Sequence, residues 1–259
     1  MPSSLPVLVD VDRATVRDLP CCGVKDASHE GRCYKIRWLE EHFKLGLRAK
    51  VLLTPDRRQC GYIEYLPGEF AWRGIDARGY LVIHCIWTFY KQYQHRGFGA
   101  RMVQACIDDA TQGGMYGVAV VARHSPWLAS PSLFLANGFE CVATAPPDYQ
   151  LLVRKTLPSA PDPAFRPAGE DALAKYRRGL TIVTAGQCPH VARFAREIAE
   201  CAEQEFDLKP RIVSLRSHTD AQNAPTPYAV FALIYKGRIL ADHQISRTRF
   251  RKIMNHLPE

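Results

Sequence analysis

Apolar residues recur at helical spacing around residues 34–47, where Ile36, Leu39, Phe43 and Leu47 fall on one face. That spacing predicts an amphipathic helix. Two short apolar runs follow, at 49–54 and 60–66, and read as a strand hairpin across Pro55-Asp56. Residues 80–89 form a longer β-branched and aromatic run, read as a central strand. After it come a helical pattern at 99–111 and a buried strand at 117–122. A short helix at 132–137 ends at Gly138, a plausible left-handed cap. Two further strands, 139–143 and 151–156, close the sheet.

The second half repeats this alternation on a smaller scale. Residues 180–185 read as a strand, and 189–206 as a helix opened by Pro189. A second strand lies at 211–217. Runs 228–235 and 238–245 form a hairpin across Lys236-Gly237, and Ser246 caps a last helix over 247–257. Between the halves, residues 158–167 hold Pro158, Pro161, Pro163 and Pro167. Such a stretch is expected to be extended and to break sheet or helix. The boundary is therefore drawn there: a domain over 1–157, a linker over 158–178 and a second domain over 179–259. No internal repeat is evident.

With 47% hydrophobic and 23% charged residues the composition is that of a globular protein. No run of about 18 apolar residues predicts a membrane span, and residues 1–10 lack the basic start of a signal peptide. The cysteines number nine in a long chain, which reads as free thiols in a reducing cytoplasm. The net charge of +8 is shared evenly between the halves. Without a basic arm or cluster, nucleic-acid binding is not expected, whereas a basic surface suits an anionic cofactor.

Gln94-His95-Arg96-Gly97-Phe98-Gly99-Ala100 lies between the central strand and the next helix. A glycine turn there leaves backbone N–H groups free at a helix N-terminus, where the helix dipole also favours a phosphate. Gly97 and Gly99 are expected to let the backbone approach the anion. Neither a GxGxxG fingerprint nor a P-loop fits, because Ala100, Arg101 and Met102 follow Gly99.

The pattern Gln-x-x-Gly-x-Gly resembles motif A of the GNAT N-acetyltransferases. The resemblance extends over about residues 30–157 and includes the segment from Leu133 to Gly138 and Phe139, similar to that family's helix ending in Gly-Phe. It implies an α/β (α+β) fold: a GNAT mixed sheet with flanking helices. It further implies acetyl-CoA as acyl donor, lying in a V-shaped opening between two central parallel strands. The backbone of Trp87, Thr88 and Phe89 would pair with the pantetheine arm. Gln94 and the N–H groups of His95 to Ala100 would hold the pyrophosphate. A small amine would be the acceptor. Two positions depart from the family: its usual acid, a Tyr, is Phe134 here, and its Asn is Trp127.

Acyl transfer to an amine needs a base for the amine proton and an acid for the departing thiolate. Glu64, a carboxylate within an apolar strand, reads either as that base or as an inward salt bridge, for instance to Arg73. His84, inside the central strand, reads as a catalytic group or a satisfied core histidine. His124 and Tyr90 are weaker alternatives, and Cys85 and Cys106 read as small buried residues. Cys21 and Cys22 sit in a turn before the first helix, where they could hold a substrate thiol or soft metal with Cys33 or Cys188. No cysteine–histidine spacing suggests zinc, and no metal is expected.

Residues 184–191, with Cys188, join strand to helix where a thioredoxin-like domain carries its reactive cysteine, and Thr226-Pro227 resembles that fold's cis-proline site. The second cysteine of the redox pair is replaced by Val191, so dithiol cycling is not expected. Cys188 is still expected to have a depressed pKa at a helix start; a packing or substrate-binding role for the domain is the other reading. The two-part layout is similar to the YoaP-type acetyltransferases of bacteria. Two functions follow: transfer of an acetyl group to a small amine, with the second domain forming or gating the acceptor site, or thiol handling by Cys21, Cys22 and Cys188 beside a vestigial CoA site. Oligomers are compatible with either.

Overall fold

The computed structural model describes residues 5–19, 22–24, 26–124, 126–166 and 170–257. In chain order the first half contains β1 (Val7–Val11), α1 (Glu30–His42), β2 (Arg48–Leu53), β3 (Gln59–Pro67), β4 (Ile75–Asp76), β5 (Tyr80–Thr88), α2 (Phe98–Gln112), β6 (Gly117–Ala122), α3 (Pro131–Leu135), β7 (Glu140–Ala145) and β8 (Tyr149–Lys155). Then follow β9 (Ala164–Phe165), α4 (Glu170–Ala174), β10 (Leu180–Thr184), α5 (Val191–Phe206), β11 (Arg211–Ser214), α6 (His218–Gln222), β12 (Phe231–Tyr235), β13 (Arg238–Ala241) and α7 (Arg247–Met254).

The larger sheet has the order β1-β2-β3-β5-β6-β8-β7. Among the described residues its one parallel pair is β5–β6; the rest are antiparallel. Both faces are covered, which is why β3 is buried over nearly its whole length. Strand alternation sorts the side chains. Ile63, Tyr65, Leu81, Ile83, Val118 and Val120 pack under α2 with Met102, Val103 and Ile107. Tyr62, Leu66, Val82, Ala119 and Val121 face the other way, toward Trp38 and Leu39 of α1.

The β5–β6 pairing runs only from Tyr80–Gly117 to Ile83–Val120, although β5 continues to Thr88. At this point the β3–β5 register slips: Glu64 pairs with Cys85 and Tyr65 with Ile83, leaving His84 as the extra residue of a bulge. A bulge bends its strand and resets the alternation. Cys85 therefore packs on the α1 side of the sheet, and Ile86 on the α2 side. The two parallel strands splay from Ile83 onward, and a slot opens between them.

The second sheet has the order β11-β10-β12-β13, with β10–β11 parallel and the other pairs antiparallel. Its helix α5 buries Val191, Ala195, Ile198, Cys201 and Ala202, one face at helical spacing. Phe206 of α5 meets Phe250 of α7 with ring centroids 5.6 Å apart. The expected cap holds: Ser246 Oγ accepts from Arg249 N at 3.2 Å.

The two halves are docked closely and share one apolar core. A Cβ on Gly31 of α1 would lie 1.7 Å from the Pro189 carbonyl oxygen, so this crossing requires glycine. At the opposite end, buried Arg123 bonds Asp242 at 3.0 Å and Asp148 at 2.5 Å, and Tyr149 Oη donates to Asp242 at 2.8 Å.

Two expectations need correction, and one strand was not predicted. The proline-rich stretch was expected to break any sheet, yet it contains β9, which pairs with β4, and Tyr80 Oη donates to Pro161 O at 2.8 Å. Proline at a two-residue edge ribbon removes no central ladder bond. Thr226-Pro227 is trans; the cis bond among the described residues is Pro146-Pro147. Ala229 N bonds Thr226 O at 3.1 Å, which puts Pro227 at the second position of a four-residue turn, where a trans proline fits. Strand β1, an edge strand with Val7 and Val9 turned to solvent, was not among the predicted elements, although Val7-Leu8-Val9-Asp10-Val11 is rich in β-branched residues.

Candidate functional site

The glycine turn before α2 presents mainly backbone. Gly97 caps α2 with φ +77°, and Tyr90 and His95 also have positive φ. Among the described residues no backbone acceptor is bonded by the N–H groups of His95, Arg96 or Gly97; the first bond into α2 is Arg101 N to Gly97 O, 3.0 Å. The N–H groups of the helix start are thus free. The stretch from Gln94 to Gly97 is exposed, and a Cβ on Gly97 would meet nothing within 4 Å. An anion fits here. Gly99 has a different reason: a Cβ there would press Leu133 of α3 at 3.1 Å. Close packing of α2 on α3 is thus a second reason for glycine at 99, beside the expected approach to an anion. Phe89 gives its N–H to Cys60 O at 2.8 Å. That N–H is therefore taken up on the β3 side, while β5 beyond Ile83, including Trp87 and Thr88, has no strand paired on its β6 side among the described residues.

The slot leads into a cavity of about 410 Å³ between the two halves. Its walls come from β5, β6, α1, the loop at Trp127–Ala129, the segment Gln187–His190 and Tyr228. Trp127 ties the halves together, donating Nε1–H to Gln244 O at 2.9 Å. Phe134 lies fully buried against Phe139, away from this cavity, so the missing phenol leaves a core residue in its place.

Glu64 is fully buried and paired with Lys35, not Arg73. Lys35 Nζ donates to Oε1 at 2.6 Å and lies 2.5 Å from Oε2. Tyr62 Oη donates to Oε2, and Gln187 of the second half donates to Oε1 at 2.6 Å. Both oxygens are engaged, which suits a fixed ion pair rather than a free base. His84 is corrected in the same way. Its Nε2 accepts Trp72 N at 2.8 Å and its Nδ1 is 2.9 Å from Val82 O, so one neutral tautomer satisfies both. Burial, then the Arg73 charge, hold it well below the usual histidine range.

Arg73, 1% exposed, lies behind this pair and lines the cavity. It donates to Trp72 O at 2.8 Å, His84 O at 2.6 Å and Tyr228 O at 3.4 Å. Burial lowers its pKa. His124 is exposed, as is Tyr90.

Three thiols border the cavity: Cys22, Cys85 and Cys188. Cys22 Sγ is 3.3 Å from Cys85 Sγ, and Cys188 borders the same cavity. Cys21 lies outside the described residues. The Cys85 contact first, then burial, raise the Cys22 thiol well above its ordinary value. Cys188 accepts from Gln244 Nε2 at 3.4 Å, and burial pushes it up to about 11. The depressed value expected at a helix start is overturned, because desolvation outweighs the dipole. Among the described residues no group of three His, Cys, Asp or Glu side chains is placed to hold a metal ion.

Sequence reasoning missed His190, which borders the cavity half-buried beside Trp127, ring centroids 5.7 Å apart. Burial lowers its pKa, so it is neutral at pH 7. It also missed Tyr228, whose buried phenol is held well above its ordinary pKa. Both lie in the second half, and only docking brings them to the slot.

Residues 211–252 match a family model described as YoaP-like. Over 241 residues the chain is 29% identical to the "Uncharacterized N-acetyltransferase YoaP" of Bacillus subtilis, covering 92% of this chain and 93% of that one. Among solved structures it is similar to a GNAT superfamily phosphinothricin acetyltransferase of Sinorhizobium meliloti in complex with AcCoA, at 16% identity, 62% of this chain, 94% of that chain and a TM-score of 0.43. It is also similar to an acetyltransferase of GNAT family from Staphylococcus aureus MU50, at 10% identity, 58% of this chain, 98% of that chain and a TM-score of 0.44. Over nearly its whole length, then, the chain is similar to a bacterial protein named as an N-acetyltransferase.

Proposed function

We propose that the protein is an N-acetyltransferase, with acetyl-CoA as donor and a small amine as acceptor. The observation that carries this reading is the open slot between β5 and β6, with free N–H groups of the α2 turn at its outer end and a cavity at its inner end. The relative's name points the same way. When bound, acetyl-CoA supplies an activated acetyl thioester. Residues 95–100 hold its pyrophosphate through backbone N–H groups. The free edge of β5 takes the arm.

The second half completes the acceptor side. Its β-α-β-α-β-β-α order, with one parallel and two antiparallel neighbours, supports the thioredoxin-like reading. The role is not redox cycling: Val191 is buried where a second thiol would stand, and Cys188 keeps its proton. Instead the domain contributes His190 as the base for the amine proton and Tyr228 as the acid for the departing thiolate. A neutral imidazole and a protonated phenol are the forms those tasks need. The Glu64–Lys35 pair positions Gln187 and, through it, the segment leading to His190.

Titration calorimetry with acetyl-CoA, followed by thiol release on adding an amine panel, tests the reading. Micromolar binding and amine-dependent release are expected; no binding of acetyl-CoA or CoA overturns it. His190→Gln and Tyr228→Phe are each expected to lower kcat by about 10²-fold, with acetyl-CoA affinity kept.

A further inference from the structure

The charges around the inner cavity do not balance. Lys35 and Arg73 are the cations on its wall. Lys35 is matched by Glu64. Cys22, Cys188 and Tyr228 are held protonated, and His84 and His190 are held neutral, by their surroundings. Arg73 is therefore the wall's cation with no carboxylate bonded to it; Glu64 reaches it only through space. Its partners are three main-chain carbonyls, whereas buried Arg123 has carboxylates at 2.5 and 3.0 Å. A guanidinium has five N–H groups; Arg73 Nε, like Arg123 Nε, is buried with no hydrogen-bond partner among the described residues, so the difference between the two arginines lies in their carboxylates. A buried cation without a counter-ion is costly. The remaining walls offer no anion: Ile83, Ile86, Val120, Val121, Leu128 and Ala129 are apolar.

Arg73 is also held stiffly. Its main chain follows Trp72, whose N–H is fixed by His84 and whose indole donates to His42 Nε2 at 2.7 Å. Its head is gripped by β5 and by Tyr228 of the second half. A fixed, unmatched guanidinium at the wall of an apolar cavity is a recognition element for an anion. A single charge matches a monoanion; a dianion would leave one charge unpaired.

We propose that the acceptor is a zwitterion of the amino-acid class: a small amine that also carries a carboxylate, with the carboxylate set against Arg73 and the apolar part of the molecule against β5 and β6. This deepens the acetyltransferase reading and rests on it. The acceptor enters with its ammonium proton left in solvent, so that it binds as a monoanion whose carboxylate cancels the Arg73 charge; on attack the amine proton passes to His190 and the phenol proton of Tyr228 to the departing thiolate.

The test uses the full chain saturated with CoA. Calorimetry compares leucine with isoamylamine and phenylalanine with phenethylamine, pairs that differ by the carboxylate alone. Acetyl transfer is measured on the same pairs with acetyl-CoA. The amino acid is expected to bind about 30-fold more tightly in each pair, and Arg73→Met is expected to bring the ratio toward one. Arg73→Lys keeps the charge without the fork and is expected to fall between. If either Arg73 variant fails to fold, the wild-type ratio still decides. Equal affinity within pairs, or no binding by any amino acid, overturns the proposal. Tighter binding of the phosphonate analogue of leucine than of leucine also overturns it, in favour of phosphorus acids. Acetylation of amines without a carboxylate preference sinks this inference and leaves the acetyltransferase standing; failure to bind acetyl-CoA sinks both.

Discussion

The donor and acceptor sides of this protein are made of different material. The proposed donor side is a continuous stretch, residues 94–100, exposed from Gln94 to Gly97, with main-chain N–H groups as its working parts. The acceptor side is a buried cavity assembled from side chains of both halves. A backbone cradle is indifferent to most of its side chains and recognises what every CoA ester shares. A side-chain cavity recognises what distinguishes one acceptor from another. The contrast predicts that damage to the two sides will separate in binding, stability and pH response.

The largest effect is expected at the buried pair. Glu64→Gln removes the negative charge but leaves Lys35, 1% exposed, uncompensated. Breaking such a pair costs about 3–5 kcal/mol. Urea unfolding should show a loss of that size, with acetyl-CoA affinity unaltered in the folded fraction. A stable variant with weak acetyl-CoA binding would show that the two sides are not separate.

Cys188 sharpens the same contrast chemically. With its pKa pushed up to about 11, the thiolate fraction at pH 7.5 is small. Alkylation of Cys188 by iodoacetamide should be about 100-fold slower than that of a free cysteine of pKa about 8.5, read site by site by mass spectrometry. A fast-reacting Cys188 would restore the thiol-handling role.

This is also where sequence reading met its limit. The donor turn was legible because strand, glycines and helix are adjacent in the chain, and local spacing carries the whole site. Glu64 was legible as an oddity, a carboxylate in an apolar strand. Its partner was not, because Lys35 sits on a helix face read by its apolar members alone, while Arg32, Lys35 and His42 share the buried surface. The bulge at His84 left no local mark either. It turns Cys85 onto the α1 side and frees the edge of β5, yet it comes from the register between two strands. His190 and Tyr228 acquire meaning only once Gly31 and Pro189 bring the halves into contact.

Docking itself has a pH signature. Burial alone would raise Asp242, but hydrogen bonds from His243 and Tyr149 and the charge of Arg123 prevail and bring it to about 2. A depressed carboxylate stabilises the folded state above its unfolded pKa of about 3.9 and loses that contribution as pH falls through the folded value. The contribution is roughly 2 kcal/mol at neutral pH. Wild type should therefore lose this stability between about pH 4 and pH 2, and Asp242→Asn should lack that part of the acid transition. The measurement is urea unfolding at stepped pH. An unchanged acid profile in the variant would mean that the contact contributes nothing to holding the halves together.

The smallest effect lies in the donor turn, where Gly97 and Gly99 make opposite predictions from adjacent positions. Gly97 stands at φ +77° with open space where a Cβ would go. Gly97→Ala therefore meets no clash, but left-handed backbone costs an L-residue about 1–2 kcal/mol. Relaxing that strain turns the N–H groups of the α2 start away from a common point. Acetyl-CoA affinity should fall about tenfold, with little change in melting temperature if the exposed turn relaxes. Gly99 is helical, and its Cβ would press Leu133 at 3.1 Å. Gly99→Ala should lower stability through the α2–α3 contact while the N–H groups keep their direction, so acetyl-CoA affinity should hold. Calorimetry and thermal melts on both variants read the two effects independently. If Gly99→Ala weakened acetyl-CoA binding and Gly97→Ala did not, the cradle would owe its shape to helix packing, and the division between a backbone donor side and a side-chain acceptor side would fail at its clearest point.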